Sequence, residues 1–153
     1  MPSSMTHAYF GNAVYSRLDK KYKDLVDIYY IRLFSQGSDP YMFYHFFVGK
    51  RAYEISLIQE MIHTKKTNIF FKNIIRYINK FNLLNNKEVM SYLYGFICHY
   101  YLDLYVHPFI YYKSGIFNKL DKTTYKYNCK HQEYEYLIDL YLIEIVLDIV
   151  VYL

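Results

Sequence analysis

His99-Tyr100-Tyr101-Leu102-Asp103-Leu104-Tyr105-Val106-His107 sets two imidazoles and a carboxylate four residues apart within an apolar and aromatic run. On an α-helix, side chains at i, i+4 and i+8 lie on one face and drift only modestly around it. The spacing therefore predicts a helix on which three polar groups converge. The same interval traced backward reaches Gly95 and Ser91, so the stripe is small before it becomes polar, and another helix or a bound ion can come close there.

Outward from this segment, the chain reads as helices separated by turn residues. Apolar residues recur at helical spacing from about Met5 to Leu18, after a Ser-Ser-Met-Thr start that offers N-cap hydroxyls. A second pattern covers roughly Lys21 to Phe34, and Ser35-Gln-Gly-Ser-Asp-Pro40 ends it with a loop that carries Asp39. A third helix is expected from Arg51 to about Thr64, with Ala52, Ile55, Ile58 and Met61 or Ile62 on one side. Thr67 or Asn68 can cap a fourth, whose apolar face is Phe70, Ile74, Ile75, Ile78 and Phe81. Asn85-Asn86 marks the next turn. The central helix then runs from about Lys87 to Val106 and is expected to stop near Pro108, which cannot continue the hydrogen-bond ladder. A looser connection with Gly115 leads to a last helix starting near His131. With no strand-period alternation and no internal repeat, the fold class is all-α: a compact multi-helix bundle, one domain over residues 1–153.

Composition supports a folded chain. Hydrophobic residues make up 54% and aromatic residues 22%, which excludes disorder. The net charge of +4 is spread over lysines such as Lys20, Lys65 and Lys130, with only four Arg, so nucleic acid is disfavoured as the main partner. Two cysteines, Cys98 and Cys129, are too few for a disulfide framework. No secretion signal is visible at Met-Pro-Ser-Ser-Met-Thr-His-Ala, so a cytoplasmic location is expected. The most apolar segment, Leu137 to Leu153, is interrupted by Asp139, Glu144 and Asp148; it is expected to be a buried amphipathic helix and not a membrane span. It stops at Leu153 without Gly, Asn or a basic last turn, a pattern expected of the front part of a larger domain, truncated at its C-terminus.

The polar stripe asks for a cation. Three ionisable groups among Tyr and Leu would otherwise bury an unpaired carboxylate at a cost of several kcal/mol. A second pair one turn apart, His131 and Glu135, adds imidazole and carboxylate, a donor set suited to zinc or iron. A lone His on an apolar helix is more often a hydrogen-bonded core residue, the reading that fits His45.

Five pieces of the sequence share a further property. MPSSMTHAYFG (1–11), QGSDP (36–40), MIHTKKTNIFF (61–71), SYLYGFICHYYLDLYVHPF (91–109) and KHQEYEYLID (130–139) carry five of the six histidines, and together they resemble the zinc-dependent phospholipase C family, whose fold is shared with certain single-strand nucleases. The resemblance implies a helical domain holding a cluster of two to three zinc ions. Carried over position by position, it implies that Asp39, His63, His99 and Asp103 surround one ion. Asp103 would bridge to a second ion also bound by His7, and His107, His131 and Glu135 would hold the third.

Given that cluster, the three carboxylates leave the pocket net positive when two or three dications are bound, which attracts a phosphodiester. Zinc can bring water from a pKa of about 15.7 to near 7, and paired metals can clamp the attacking and leaving oxygens. The expected activity is hydrolysis of a small phosphodiester or phospholipid by a metal-bridging hydroxide, with peripheral membrane contact compatible with such a substrate. Asp39 is expected either to ligate or to orient water as a base, and the sequence leaves both roles open. Tyr44, Tyr94 and Tyr101 are candidates to line a lipid or base site, against a core reading that is favoured for each.

Rival readings are weaker. An HD-type phosphohydrolase would show an adjacent His-Asp pair, which is absent, and a di-iron carboxylate bundle wants Glu-x-x-His, opposite to the order here. A nuclease-type phosphodiesterase on single-stranded nucleic acid, and a helical domain that keeps its metal for stability without turnover, remain as alternatives.

Overall fold

Seven α-helices are present among the described residues: α1 (Ser4–Arg17), α2 (Lys20–Lys23), α3 (Ile28–Phe34), α4 (Lys50–Glu60), α5 (Thr67–Lys80), α6 (Lys87–Ser114) and α7 (Lys130–Val151). The computed structural model describes residues 4–41 and 49–151, without the side chains of Thr64 and of residues 146–151. A π-helical segment, Met61–Lys65, extends α4, and a 3₁₀ segment, Lys122–Tyr127, precedes α7. No strand occurs among the described residues, so the fold is all-α as the spacing predicts. The core reading of His45 and the candidate lining residue Tyr44 both lie outside the described residues.

Helix α6 is the axis of the fold and packs against α1, α3 and α7. Asn86 caps its start by accepting from the Val89 N–H at 3.1 Å. Its small stripe receives a helix: the Ser91 hydroxyl accepts from the Asp27 N–H at 2.8 Å, and a Cβ on Gly95 would lie 2.8 Å from the Phe34 carbonyl carbon. The sequence left open whether an ion or a helix approaches there, and the answer is α3. Around that crossing Val26, Ile31, Ile78, Met90 and Leu93 form the buried apolar core, with Phe71, Ile74 and Tyr94 packed against it.

Several boundaries differ from the periodicity. The span from Lys21 to Phe34 is two helices, because Asp27 turns its carboxylate onto the Tyr29 N–H at 2.8 Å and starts α3 afresh. On α4 it is Ala52 and Ser56 that are buried, while Ile58 faces solvent. The core face of α5 runs through Phe71, Ile74 and Ile78, leaving Ile75 and Phe81 about half exposed.

Pro108 lies inside α6, which continues to Ser114 instead of stopping. Proline deprives the carbonyl four residues earlier of its donor, and here that residue is Leu104, on an exposed part of the helix where water can take the bond. The helix ends at Gly115, whose φ of +70° suits a residue without a Cβ; an added Cβ would also sit 2.6 Å from the Tyr127 ring.

Helix α7, expected to be amphipathic and to bring Glu135 to the site, buries acidic residues within its apolar run. Glu135 and Asp139 are buried, whereas Tyr136, Leu137, Leu140 and Tyr141 are exposed. No described helix is long and apolar enough to cross a membrane.

Candidate metal centre

All eight side chains singled out in the sequence meet along the middle turns of α6. The helix presents His99, Asp103 and His107 on successive turns, α1 brings His7, the loop after α3 brings Asp39, the π-helical segment brings His63, and α7 brings His131 and Glu135. Asp103 sits in the middle: its carboxylate is 2.8 Å from His63 Nε2, 3.4 Å from His99 Nε2, 3.6 Å from His7 Nε2 and 3.9 Å from His107 Nε2. Asp39 lies 3.7 Å from both His63 and His99 and 3.8 Å from His7. On the far side, Glu135 is 2.7 Å from His131 and 3.5 Å from His107.

Local structure explains the convergence. His63 occupies a π turn in which the Lys66 N–H reaches back to the Met61 carbonyl at 2.7 Å, a widening often found at functional sites. The Thr67 hydroxyl donates to the Ile62 carbonyl at 2.6 Å and closes that turn. Gly37 lies against the His99 ring, where an added Cβ would come within 2.2 Å, and its φ of +58° is one that glycine adopts without strain.

Whether these residues fit a metal can be read from their unmet valences. Among the described residues, both ring nitrogens of His7, His99 Nε2, both carboxylate oxygens of Asp39, Asp103 Oδ1, His107 Nε2 and His131 Nδ1 are buried without a hydrogen-bond partner. Unpaired buried polar atoms on this scale are costly, and a cation is the partner that nitrogen lone pairs and carboxylate oxygens can share. Two atoms bound to one tetrahedral zinc at about 2.0–2.1 Å stand about 3.3 Å apart, close to the longer of the His-to-carboxylate separations here and beyond ordinary hydrogen-bond length. Three groups have donor atoms within 4.8 Å of one another: His7 with His99 and Asp103, Asp39 with His63 and His99, and His107 with His131 and Glu135. The residues present therefore fit zinc.

The zinc dependent phospholipase C family model matches residues 6–150 of the sequence. The chain belongs to that family. No curated protein and no solved structure matches it.

Electrostatics in this zinc dependent phospholipase C domain favour ligand-competent imidazoles. Burial, helped by the neighbouring His99, brings His7 down to about 3, against the pull of Asp103. Burial also brings His99 down to about 4, again opposed by Asp103. Both rings are thus neutral near pH 7, the form that binds metal. Burial and the charge of Asp103 push Asp39 up to about 7, with His63 working in the opposite direction. For Asp103, burial works to raise the pKa, but the His63 hydrogen bond and the surrounding imidazoles hold it below the usual carboxylate range. His63 is raised, chiefly by that same hydrogen bond. His131 is lowered by burial; for Glu135 burial works upward, but His107 and the other positive groups nearby, His131 among them, together hold it below the usual carboxylate range.

A cleft of about 270 Å³ opens beside the centre. His63, His99, Asp103 and His107 line its polar part, and Ile62, Phe96, Tyr100, Leu104 and Tyr111 its apolar part. Tyr94 belongs to the apolar core, and Tyr101 is exposed outside the cleft. Of the two tyrosines that do line it, Tyr100 and Tyr111, the second had a signal in the sequence. Tyr111 continues the four-residue step of 99, 103 and 107, and its ring lies 4.7 Å from that of His131.

Proposed function

We propose that this chain is a zinc-dependent phosphodiester hydrolase, one helical domain that acts on the phosphodiester of a phospholipid. The observation that carries the reading is the set of buried, unpartnered nitrogens and oxygens gathered around Asp103 next to a cleft. His7, Asp39, His63, His99 and Asp103 would hold the ions on one side, and His107, His131 and Glu135 would hold one on the other. When bound, zinc supplies a lowered pKa for water and positive charge for the phosphoryl oxygens.

The chain's own residues do the rest. Burial keeps His7 and His99 neutral, with nitrogen lone pairs free to bind. Asp103 stays anionic at the centre and draws the imidazoles to a common point. Asp39, beside the cleft-lining Ser38 and within 3.7 Å of His63 and His99, both ligates and orients the attacking water through its carboxylate. The apolar wall of Ile62, Phe96 and Leu104 suits the glycerol side of a phospholipid head, while a cleft of about 270 Å³ leaves the acyl chains outside. A role at a lipid surface follows from that division.

The test is elemental analysis followed by assay. Purified protein should carry two to three zinc per chain and hydrolyse lecithin faster than bis-nitrophenyl phosphate or single-stranded DNA. Preference for DNA would move the assignment to the nuclease type. Zinc-loaded protein inert on all three would leave a metal-stabilised helical fold without turnover, and protein with no bound metal would overturn the reading.

A further inference from the structure

We infer that Asp139 is a positioning residue for His7. Asp139 lies one helical turn beyond Glu135 on α7, and both carboxylates are buried. Its side chain bonds the first turn of α1. There Oδ2 accepts from the Met5 N–H at 3.1 Å, Oδ1 accepts from the Thr6 N–H at 2.9 Å, and the Thr6 hydroxyl donates to the same Oδ1. The first-turn N–H groups of a helix have no partner within it, and a carboxylate placed there also meets the positive end of the helix dipole. The described part of α1 has no acidic residue in its first turn, so α7 provides this charge from 133 residues away in sequence.

His7 is the next residue in the chain, and its ring is only 1% exposed. Among the described residues neither ring nitrogen has a hydrogen-bond partner, in contrast to His63, which is held by Asp103. Before any ion binds, no described group holds the imidazole by a hydrogen bond, so its aim at Asp103, 3.6 Å away, is set by where the backbone of α1 sits. Gln36 steadies that backbone through a bond to the Ser4 carbonyl at 2.9 Å, and Gly11 allows close packing on Ile31 and Ser35. Asp139 acts nearer to His7 than Gly11 does, with three bonds on the two preceding residues. Helix α7 consequently does two things with consecutive turns: Glu135 enters the group with His107 and His131, and Asp139 registers the helix that brings His7 to the opposite group.

Asp139→Asn tests this. The amide keeps one acceptor but places an NH₂ donor against an N–H donor of α1, breaking part of the clamp. Zinc affinity, measured by competition with a chelator, should fall roughly tenfold for one equivalent, in the range of outer-shell effects, with the other equivalents unchanged. Asp139→Glu should recover part of the loss. In a His7→Ala background Asp139→Asn should cost no further affinity, because its effect passes through that ring. Wild-type affinity in Asp139→Asn, or an equal loss with and without His7, would overturn the inference. Should Asp139→Asn not fold, Thr6→Val removes a single donor: a severalfold loss in the same equivalent supports the clamp, and no loss overturns it. The inference rests on the metal reading, but the two fail separately. If wild-type protein holds no zinc, that reading falls, and the His7 ring resonances of metal-free protein, expected to shift in Asp139→Asn, still decide whether Asp139 sets the ring.

Discussion

Two stretches of α6 bury different kinds of side chain, although apolar residues such as Leu102 and Ile110 are buried beyond the first as well. Toward its start, Met90 and Leu93 join Val26, Ile31 and Ile78 in an apolar cluster; along its middle turns, His99 and Asp103 are equally buried, among imidazoles and carboxylates. Removing apolar surface from water is favourable at any pH and without any ligand. Burying carboxylates and imidazoles with unmet valences is unfavourable until a cation shares them. One helix thus joins a stretch that stabilises the chain by itself to a stretch whose contribution depends on what it binds. Ions and protons should act on the second stretch, and packing variants on the first.

The largest expected effect falls on the polar stretch. Asp103→Asn removes the central charge that four histidines approach, each within 3.9 Å, while keeping shape and one acceptor. Activity should fall by roughly a thousandfold or more, equivalent to about 4 kcal/mol of transition-state stabilisation. The variant should also lose zinc and the stabilisation zinc provides, about 4 kcal/mol at free zinc a thousand times Kd. Thermal melts with and without zinc, together with metal analysis, check both. Retention of full zinc content and stability would contradict the central role of Asp103.

The polar stretch was the more legible in the sequence, because its signal is local. Three groups at a four-residue interval define a face whatever the surroundings, and His131 with Glu135 repeat the interval. Features that depend on contacts between distant segments were not legible. Asp27 looks like any helical Asp until its carboxylate is seen to cap α3 and its N–H to reach Ser91 of α6, a contact that ties the break between α2 and α3 to a distant helix. Asp139 reads as an interruption of an apolar run, and its role is visible only once α1 lies beside α7. Pro108 reads as a terminator, yet α6 runs on to Ser114, because Leu104, whose carbonyl loses its donor, is half exposed and open to water. The faces of α4, α5 and α7 are legible only in part, through Ala52, Ile74 and Ile78, for a related reason: in a chain that is 54% hydrophobic, apolar residues occupy both faces of a helix, so periodicity alone does not choose between them.

A smaller effect is expected in the apolar stretch. Ile78→Ala removes a side chain that is 2% exposed and leaves a cavity beside Met90 and Leu93. The loss should be about 3 kcal/mol, within the usual range for such truncations. The comparison is sharpened by repeating urea unfolding with and without zinc. The same loss within about 0.5 kcal/mol in both conditions, with zinc affinity unchanged, would show the two stretches to be energetically separate. A weakened zinc affinity would show that the apolar cluster also sets the metal geometry.

The smallest effect is the dependence of the zinc-stripped protein on pH, and its sign distinguishes the two stretches. His7 and His99 lie at about 3 and 4 in the folded chain against 6.5 when unfolded, so between about pH 4 and 6.5 the unfolded chain binds the extra protons. Stability from these two groups therefore rises with pH across that window. Asp39 runs the other way: at about 7 when folded and 3.8 when unfolded, its folded form keeps a proton that the unfolded form has lost. Two groups against one leave a net of about one proton, so stability should rise by about 1.4 kcal/mol per pH unit from pH 4.5 to 6. The lowered His131 adds to the rise, and the raised His63 contributes stability that is lost only as pH climbs through its folded value, above 6.5. Urea unfolding of chelator-treated protein at pH 4.5, 5.5 and 6.5 measures the slope. A rise common to wild type and Ile78→Ala would place the titration in the polar stretch, because none of the titrating groups belongs to the apolar cluster. A flat or falling profile would mean that the imidazoles of α1 and α6 are hydrated, contrary to their burial.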